Sequence, residues 1–212
     1  ITPNHYIEPA RLVGLLPRVT EVMITKAYAY FADKPYGFTI NITEDDLKAG
    51  FMPALLERLA QRYQVHPSRV TLEILENISA QGSDEVLEQL QRFKQMGFLL
   101  ALDDFGSDKS NFYRLQKMDV DILKIDGGFI KDITTNANNE KIAKTIVHLA
   151  ESLGCEVIAE FVHSKEVYEK VRELGVRYSQ GYWFGEPTPT INPAGHPGLN
   201  MKGLPPAASS VS

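Results

Sequence analysis

Asp103 and Asp104 stand side by side at the end of the apolar run FLLALDD, and the chain repeats that placement of polar groups. Asn41 follows FTI, Glu73 lies within VTLEIL, Lys124 within DILKID, Glu160 within EVIAEFV and Gln180 within YSQGYWF. Asn41, Glu73, Asp103, Asp104 and Glu160 form an all-oxygen donor set. Such a set suits a hard cation, Mg²⁺ or Mn²⁺, rather than the His and Cys ligands of a zinc site. Without a cation, carboxylates facing one cavity repel and their protonation must shift. Adjacent aspartates can hold two ions with one carboxylate bridging, and paired metals about 3.5–4 Å apart are a common device for hydrolysing phosphate esters. Taken singly, each acid reads as a helix cap or loop anchor. Recurrence on successive strands is what carries the metal reading.

Lys124 has several readings. It can pair with Asp126 or another acid, or steady a phosphate oxygen or a water in a metal site. It can also act as the desolvated Schiff-base amine of an aldolase. Gln180 can hydrogen-bond a metal water or satisfy loop backbone. The DFG at 104–106 does not mark a protein kinase, because no glycine-rich nucleotide loop and no HRD loop accompany it. Cys155, the one cysteine, excludes an internal disulfide and is expected to be a buried, inert thiol. His163 is read as a packed or loop-bonding histidine with proton transfer as the alternative, and His196 as solvated.

These side chains need elements that bring them together. NHYIEPARLVGLLPRVTEVMITKAYAYF is apolar at helical spacing and divided at Pro17. Strands are then predicted at YGFTINI, RVTLEIL, FLLALDD, DILKID, EVIAEFV and YSQGYWF. Between them lie helical segments: EDDLKAGFMPALLERLAQRY, capped by Thr43 and restarted or kinked at Pro53, then SDEVLEQLQRFKQMG, NNEKIAKTIVHLAESLG and SKEVYEKVRELG. This alternation predicts an α/β parallel sheet wrapped by helices. Polar groups collected at strand C-termini favour a barrel, where those ends share one mouth, over an open sheet. Six strands fall short of eight, which predicts a TIM (β/α) barrel incomplete at its N-terminal side. The domain is expected over residues 1–190, followed by a Pro/Gly/Ser-rich tail over 191–212. A first residue Ile1 suggests a piece of a longer protein.

Hydrophobic residues are 43% and charged ones 23% of the 212, an ordinary soluble composition with room for one core. A net charge of −5 argues against binding DNA or RNA polymers but leaves an anionic small ligand open if metal supplies positive charge. With no membrane-length apolar run and no signal peptide, the expected location is the cytoplasm.

The series FTINI, LEILE, ALDDFGS, DILKID, VIAEFV and SQGYWFGEP, running from about Tyr6 to Pro187, resembles the EAL-domain family of cyclic di-GMP phosphodiesterases. The resemblance implies a modified TIM barrel that opens cyclic di-GMP to linear pGpG. Carried over by position, it implies that Asn41, Glu73 and Asp103 bind a first metal. Asp103 would bridge to a second, held also by Asp104 and Glu160. Lys124 would orient the water, Gln180 would support the second-metal side and Glu76 would anchor the loop after DDFG. Asp126 would lie near the substrate mouth, or serve as a salt bridge or cap. A non-catalytic cyclic di-GMP receptor is the alternative. The resemblance also implies a homodimer and an upstream sensory or GGDEF-type domain, in a protein that could be membrane-anchored. The sequence departs from the family where SDKSNF (with Asp108 and Lys109) stands for TGYSSL, where AEFVH stands for AEGVE, and where the EAL strand itself would lie before Ile1.

Overall fold

The computed structural model describes residues 7–76, 78, 83–106, 112–188 and 190–191. These divide into two compact units, one of residues 7–74 and 83–100, the other of 75–76, 78, 101–106, 112–188 and 190–191.

In the first unit, helices α1 (Ile7–Leu12) and α2 (Leu16–Phe31) are separated just before Pro17, which occupies the first turn of α2 where its missing N–H costs nothing. Strand β1 (Phe38–Asn41) follows, then α3 (Glu44–Lys48) and α4 (Met52–Tyr63). Thr43 and Asp46 form a reciprocal capping box at the start of α3. The predicted helix over 44–63 is therefore two helices. It stops at Gly50 (φ 71°), and Pro53 sits in the first turn of its successor. A 3₁₀ turn at Pro67–Arg69 leads into β2 (Val70–Leu75), and α5 (Asp84–Gln95) completes the set. β1 and β2 pair in parallel with Asn41 opposite Glu73. Val70 to Ile74 are all buried, as expected of a parallel strand covered on both faces. Tyr28 and Phe31 of α2 close on Phe38, with ring centroids at 5.4 and 4.6 Å. Arg69 ties down the turn before β1 by donating to the carbonyls of Phe31, Lys34 and Tyr36.

The second unit takes up β3 (Leu99–Phe105) from Ala101, followed by α6 (Phe112–Met118), β4 (Ile122–Ile125) and α7 (Gly127–Ile130). Then come α8 (Ala137–Leu153), β5 (Glu156–Ala159), α9 (Lys165–Glu173) and β6 (Tyr178–Ser179). β3 to β6 pair in parallel and in chain order. Helix α8 packs on β4 and β5 through Ala143, Ile146, Val147 and Ala150. Asn136 caps its start and Gly154, with φ 73°, ends it. All six predicted strands are present. Helices α6 and α7 were not predicted, because seven and four residues are too few to show a helical period. Cys155 is half-buried rather than buried, its thiol donating to the Val120 carbonyl at 3.1 Å. His196, Asp108, Lys109 and the tail beyond Ile191 lie outside the described residues.

The sixth strand is shorter than the predicted YSQGYWF, for a steric reason. Gly181 has φ 152°, and a Cβ there would come within 2.2 Å of the Val162 oxygen. The chain continues as a turn that keeps touching β5's extension, with Val162 N–H donating to Gln180 O and Trp183 N–H to Val162 O. Gly181→Ala is therefore expected to destabilise the fold by roughly 2–4 kcal/mol, combining a disfavoured φ with a backbone collision. Gly154→Ala, where a Cβ meets nothing within 4 Å, should lose only about 1–2 kcal/mol for the left-handed conformation. Chemical denaturation of both variants checks the ordering, and equal losses would contradict it.

Candidate functional site

The acids at the end of β3 owe their geometry to a register break. Leu102 pairs with Leu123 and Phe105 with Ile125, so Asp103 and Asp104 together stand opposite the single residue Lys124. In a regular strand two neighbours point to opposite faces. The extra residue makes a β-bulge that re-aims a side chain. Asp104 takes φ 56°, a conformation that Asp tolerates better than most non-glycine residues. In consequence one carboxylate oxygen from each of Asp103, Asp104 and Glu160 lies within 4.8 Å of the others.

Lys124 is 3% exposed and sits among them, its Nζ 2.7 Å from Asp103 Oδ1 and 2.8 Å from Glu160 Oε1. Gln180 Nε2 donates to the same Glu160 Oε1 at 2.5 Å. Strands β4, β5 and β6 thus each deliver one group to the cluster, Glu160 and Gln180 from the residue just past their strand ends. An ammonium buried and ion-paired on both sides is the opposite of the neutral amine that Schiff-base chemistry needs, so this setting gives the aldolase reading no support.

Burial raises the Glu160 carboxyl above the ordinary glutamate value; Lys124 opposes that rise, and Asp103 and Asp104 add to it. Asp104 is likewise raised, first by desolvation and then by the charges of Asp103 and Asp126. The cluster holds more negative charge than its lysine balances. All-oxygen donors crowded to this degree fit a hard divalent cation.

Asp126 is the N-cap of α7, accepting from Gly128 N–H at 2.8 Å, and its charge is one of those that hold the Asp104 carboxyl above its ordinary value. The capping role anticipated for it is present, and so is proximity to the cluster. Glu76, 2% exposed, accepts from Gly106 N–H at 3.0 Å and so ties down the turn that leaves Asp104. Asn41 and Glu73 lie in the first unit as register partners, Asn41 exposed and Glu73 buried. His163 is exposed, with Nδ1 3.2 Å from the Phe161 carbonyl oxygen, which is loop bonding. What the sequence reading missed is Gly127, which lies under the ring of Phe161. The available signal was the glycine pair after DILKID, since glycine beyond a strand end often marks a close approach.

Among the described residues, no helix is long and apolar enough to cross a membrane. The curated relatives include the cyclic di-GMP phosphodiesterase PdeB of Shewanella oneidensis, 30% identical over 89% of this chain, and the probable cyclic di-GMP phosphodiesterase PdeA of Escherichia coli, 36% identical over 89%. This chain spans 23% and 27% of their respective lengths. Among solved structures, the PaMucR phosphodiesterase in complex with c-di-GMP superposes with a TM-score of 0.83 at 26% identity, covering 89% of this chain and 85% of that one. The FimX EAL domain of Pseudomonas aeruginosa reaches the same TM-score at 20% identity, over 89% of this chain and 77% of its own, and shows the shared fold. These likenesses bear out the TIM-like α/β fold expected from the alternation of strands and helices. The family model described as the EAL domain matches residues 1–187, and the chain belongs to the EAL domain family.

Proposed function

We propose that this chain binds cyclic di-GMP and hydrolyses one of its phosphodiester bonds to linear pGpG, with Mg²⁺ or Mn²⁺, two ions when fully loaded, held at the carboxylate cluster. The convergence of Asp103, Asp104 and Glu160 around a buried lysine carries this reading. The relatives named as cyclic di-GMP phosphodiesterases support the substrate. A divalent cation bound there supplies Lewis-acid polarisation of a phosphoryl oxygen and lowers the pKa of water. Asp103, Asp104 and Glu160 hold it. Lys124 keeps Asp103 and Glu160 at fixed separation and presents positive charge where a phosphate oxygen gathers negative charge. Gln180 orients Glu160, Asp126 adds negative charge near Asp104, and Glu76 holds the turn behind the bulge. For Asn41 and Glu73 the ligand assignment rests on the sequence resemblance alone, as do a homodimer and an upstream sensory or GGDEF-type domain.

Chromatographic detection of pGpG after incubation with cyclic di-GMP and Mn²⁺ tests the activity. Product is expected, and it should vanish with EDTA. Binding without product would move the chain to the receptor reading. Lys124→Ala is expected to lower turnover about 10²-fold or more, by analogy with loss of one transition-state donor, while KM stays within a few-fold. Unchanged turnover would remove Lys124 from the chemistry.

The raised carboxyls also predict a pH dependence. The folded chain holds the protons of Asp104 and Glu160 to higher pH than the unfolded chain does. Stability of the metal-free protein should therefore fall as pH rises from the ordinary carboxylate range, about 4, through the raised values. Asp104→Asn removes one of the crowded charges and keeps a residue suited to φ 56°. It is expected to raise the melting temperature in EDTA, to flatten its pH dependence and to weaken Mn²⁺ binding in calorimetric titration. A lowered melting temperature in EDTA would contradict the like-charge account.

A further inference from the structure

Helix α2 is apolar on the side where a surface helix is ordinarily polar. Leu16, Ile24 and Tyr28 face the core, so the opposite side meets solvent. That side carries Leu15, Arg18, Val22, Lys26 and Ala29, spaced three or four residues apart and all exposed. Met23 is exposed on its flank, and Leu12 and Val13, at the corner between α1 and α2, are 84% and 68% exposed. Among the described residues, five of the ten exposed large apolar side chains thus fall between positions 12 and 23. That is a patch, not the single scattered residues of an ordinary soluble surface.

The corner is fixed by its own backbone. Val13 N–H donates to Pro9 O and Leu15 N–H to Ala10 O, at 3.3 and 2.8 Å, with Gly14 at φ 69°. Leu12 and Val13 therefore project from a closed turn. The charge beside them has one sign. Glu21, the one acid of α2, is only half-buried but is paired with Arg58 of α4 at 3.1 Å. Arg18 and Lys26 have no ion-pair partner among the described residues. In a chain of net charge −5, this face is a local exception.

The order of these residues discriminates between occupants. Two copies of α2 packed antiparallel about Val22 would set Arg18 against Lys26, since each lies four residues from the centre. Packed in parallel, each cation would oppose its own copy. Like charges juxtaposed in this way disfavour a second chain. An anionic lipid surface attracts both cations and takes up the apolar side chains between them.

We propose that the α1–α2 face docks on an anionic lipid surface. Leu12, Val13 and Leu15 enter the boundary between headgroups and acyl chains, while Arg18 and Lys26 meet lipid phosphates. Helix α2, 16 residues and roughly 24 Å long, lies along the surface and does not cross it. So small an apolar wedge gives weak, reversible docking. The contact is separate from the carboxylate cluster and does not depend on hydrolysis.

Sedimentation of the full chain with sucrose-loaded vesicles tests this, using equal parts phosphatidylglycerol and phosphatidylcholine against phosphatidylcholine alone. Partitioning to the anionic vesicles is expected, weakening as salt rises from about 0.1 M to about 0.5 M. Arg18→Gln and Lys26→Gln should each lower it about 5-fold on anionic vesicles and hardly alter it on neutral ones. Leu12→Ser combined with Val13→Ser should lower it about 10-fold or more on the anionic vesicles. All these positions are exposed, so melting temperatures should stay at the parent's value. No partitioning of the parent at several millimolar accessible lipid would overturn the proposal, as would parent-like partitioning in the charge variants and the double variant. Sedimentation equilibrium without lipid covers the other occupant. A parent dimer that the Leu12→Ser, Val13→Ser variant loses would assign the face to a second copy and overturn lipid docking.

Discussion

The site depends on one electrostatic constraint, the ammonium of Lys124 held in a buried position between Asp103 and Glu160. A charge with 3% exposure is costly to bury unless it is paired on several sides, and removing a partner from such a group typically loses about 3–5 kcal/mol. The pairing does more than offset desolvation. Asp103 comes from β3, Lys124 from β4 and Glu160 from the end of β5, so satisfying the lysine sets where three strand ends must stop. Gln180 then extends the arrangement to β6 through the same Glu160 oxygen.

That constraint is met at the expense of local regularity. The bulge at Asp103 and Asp104 gives up ladder pairing to put two acids on one side, and Asp104 accepts a left-handed backbone to do so. The buried Glu76 carboxylate supports the break by taking up the Gly106 N–H. Gly181, by lacking a side chain, lets the turn after β6 approach Val162 closely enough to hold the segment carrying Glu160. Of the positive-φ positions, Asp104 belongs to the acid cluster and Phe161 directly follows its Glu160, whereas Gln64 ends a helix in the ordinary way.

The charge balance has the same character. A cluster with raised carboxyls is less stable by itself than a neutral one of equal shape would be. Such a cost makes physical sense where a cation returns it on binding, because groups too crowded to ionise freely gain most from a divalent ion. Lys124 tempers this repulsion without abolishing it. The geometry keeps oxygen atoms converged while leaving negative charge for a ligand to neutralise.

Much of this was legible in the residue order. Parallel strands need long apolar runs, and each of VTLEIL, FLLALDD and DILKID announces one. Thr43, Pro53 and Gly154 act locally, so their roles as cap, restart and stop could be read without knowing the fold. The acids at strand ends were visible for the same reason, since alternation of strand and helix places those ends together in an α/β fold. Distance could not be read. A period of two places Asp103 and Asp104 on opposite faces, and only the pairing of Leu102 with Leu123 and Phe105 with Ile125 shows the bulge that unites them. Whether Lys124 met Asp126 or other acids was likewise open, because ion pairs between residues 21 and 36 positions apart depend on strand register. The seat of Phe161 on Gly127 joins residues 34 apart in the chain, and no local pattern encodes it. Residue type and period are properties of neighbours along the chain and therefore set the elements and their chemistry. Convergence of charges is a property of packing, and tertiary structure alone decided it.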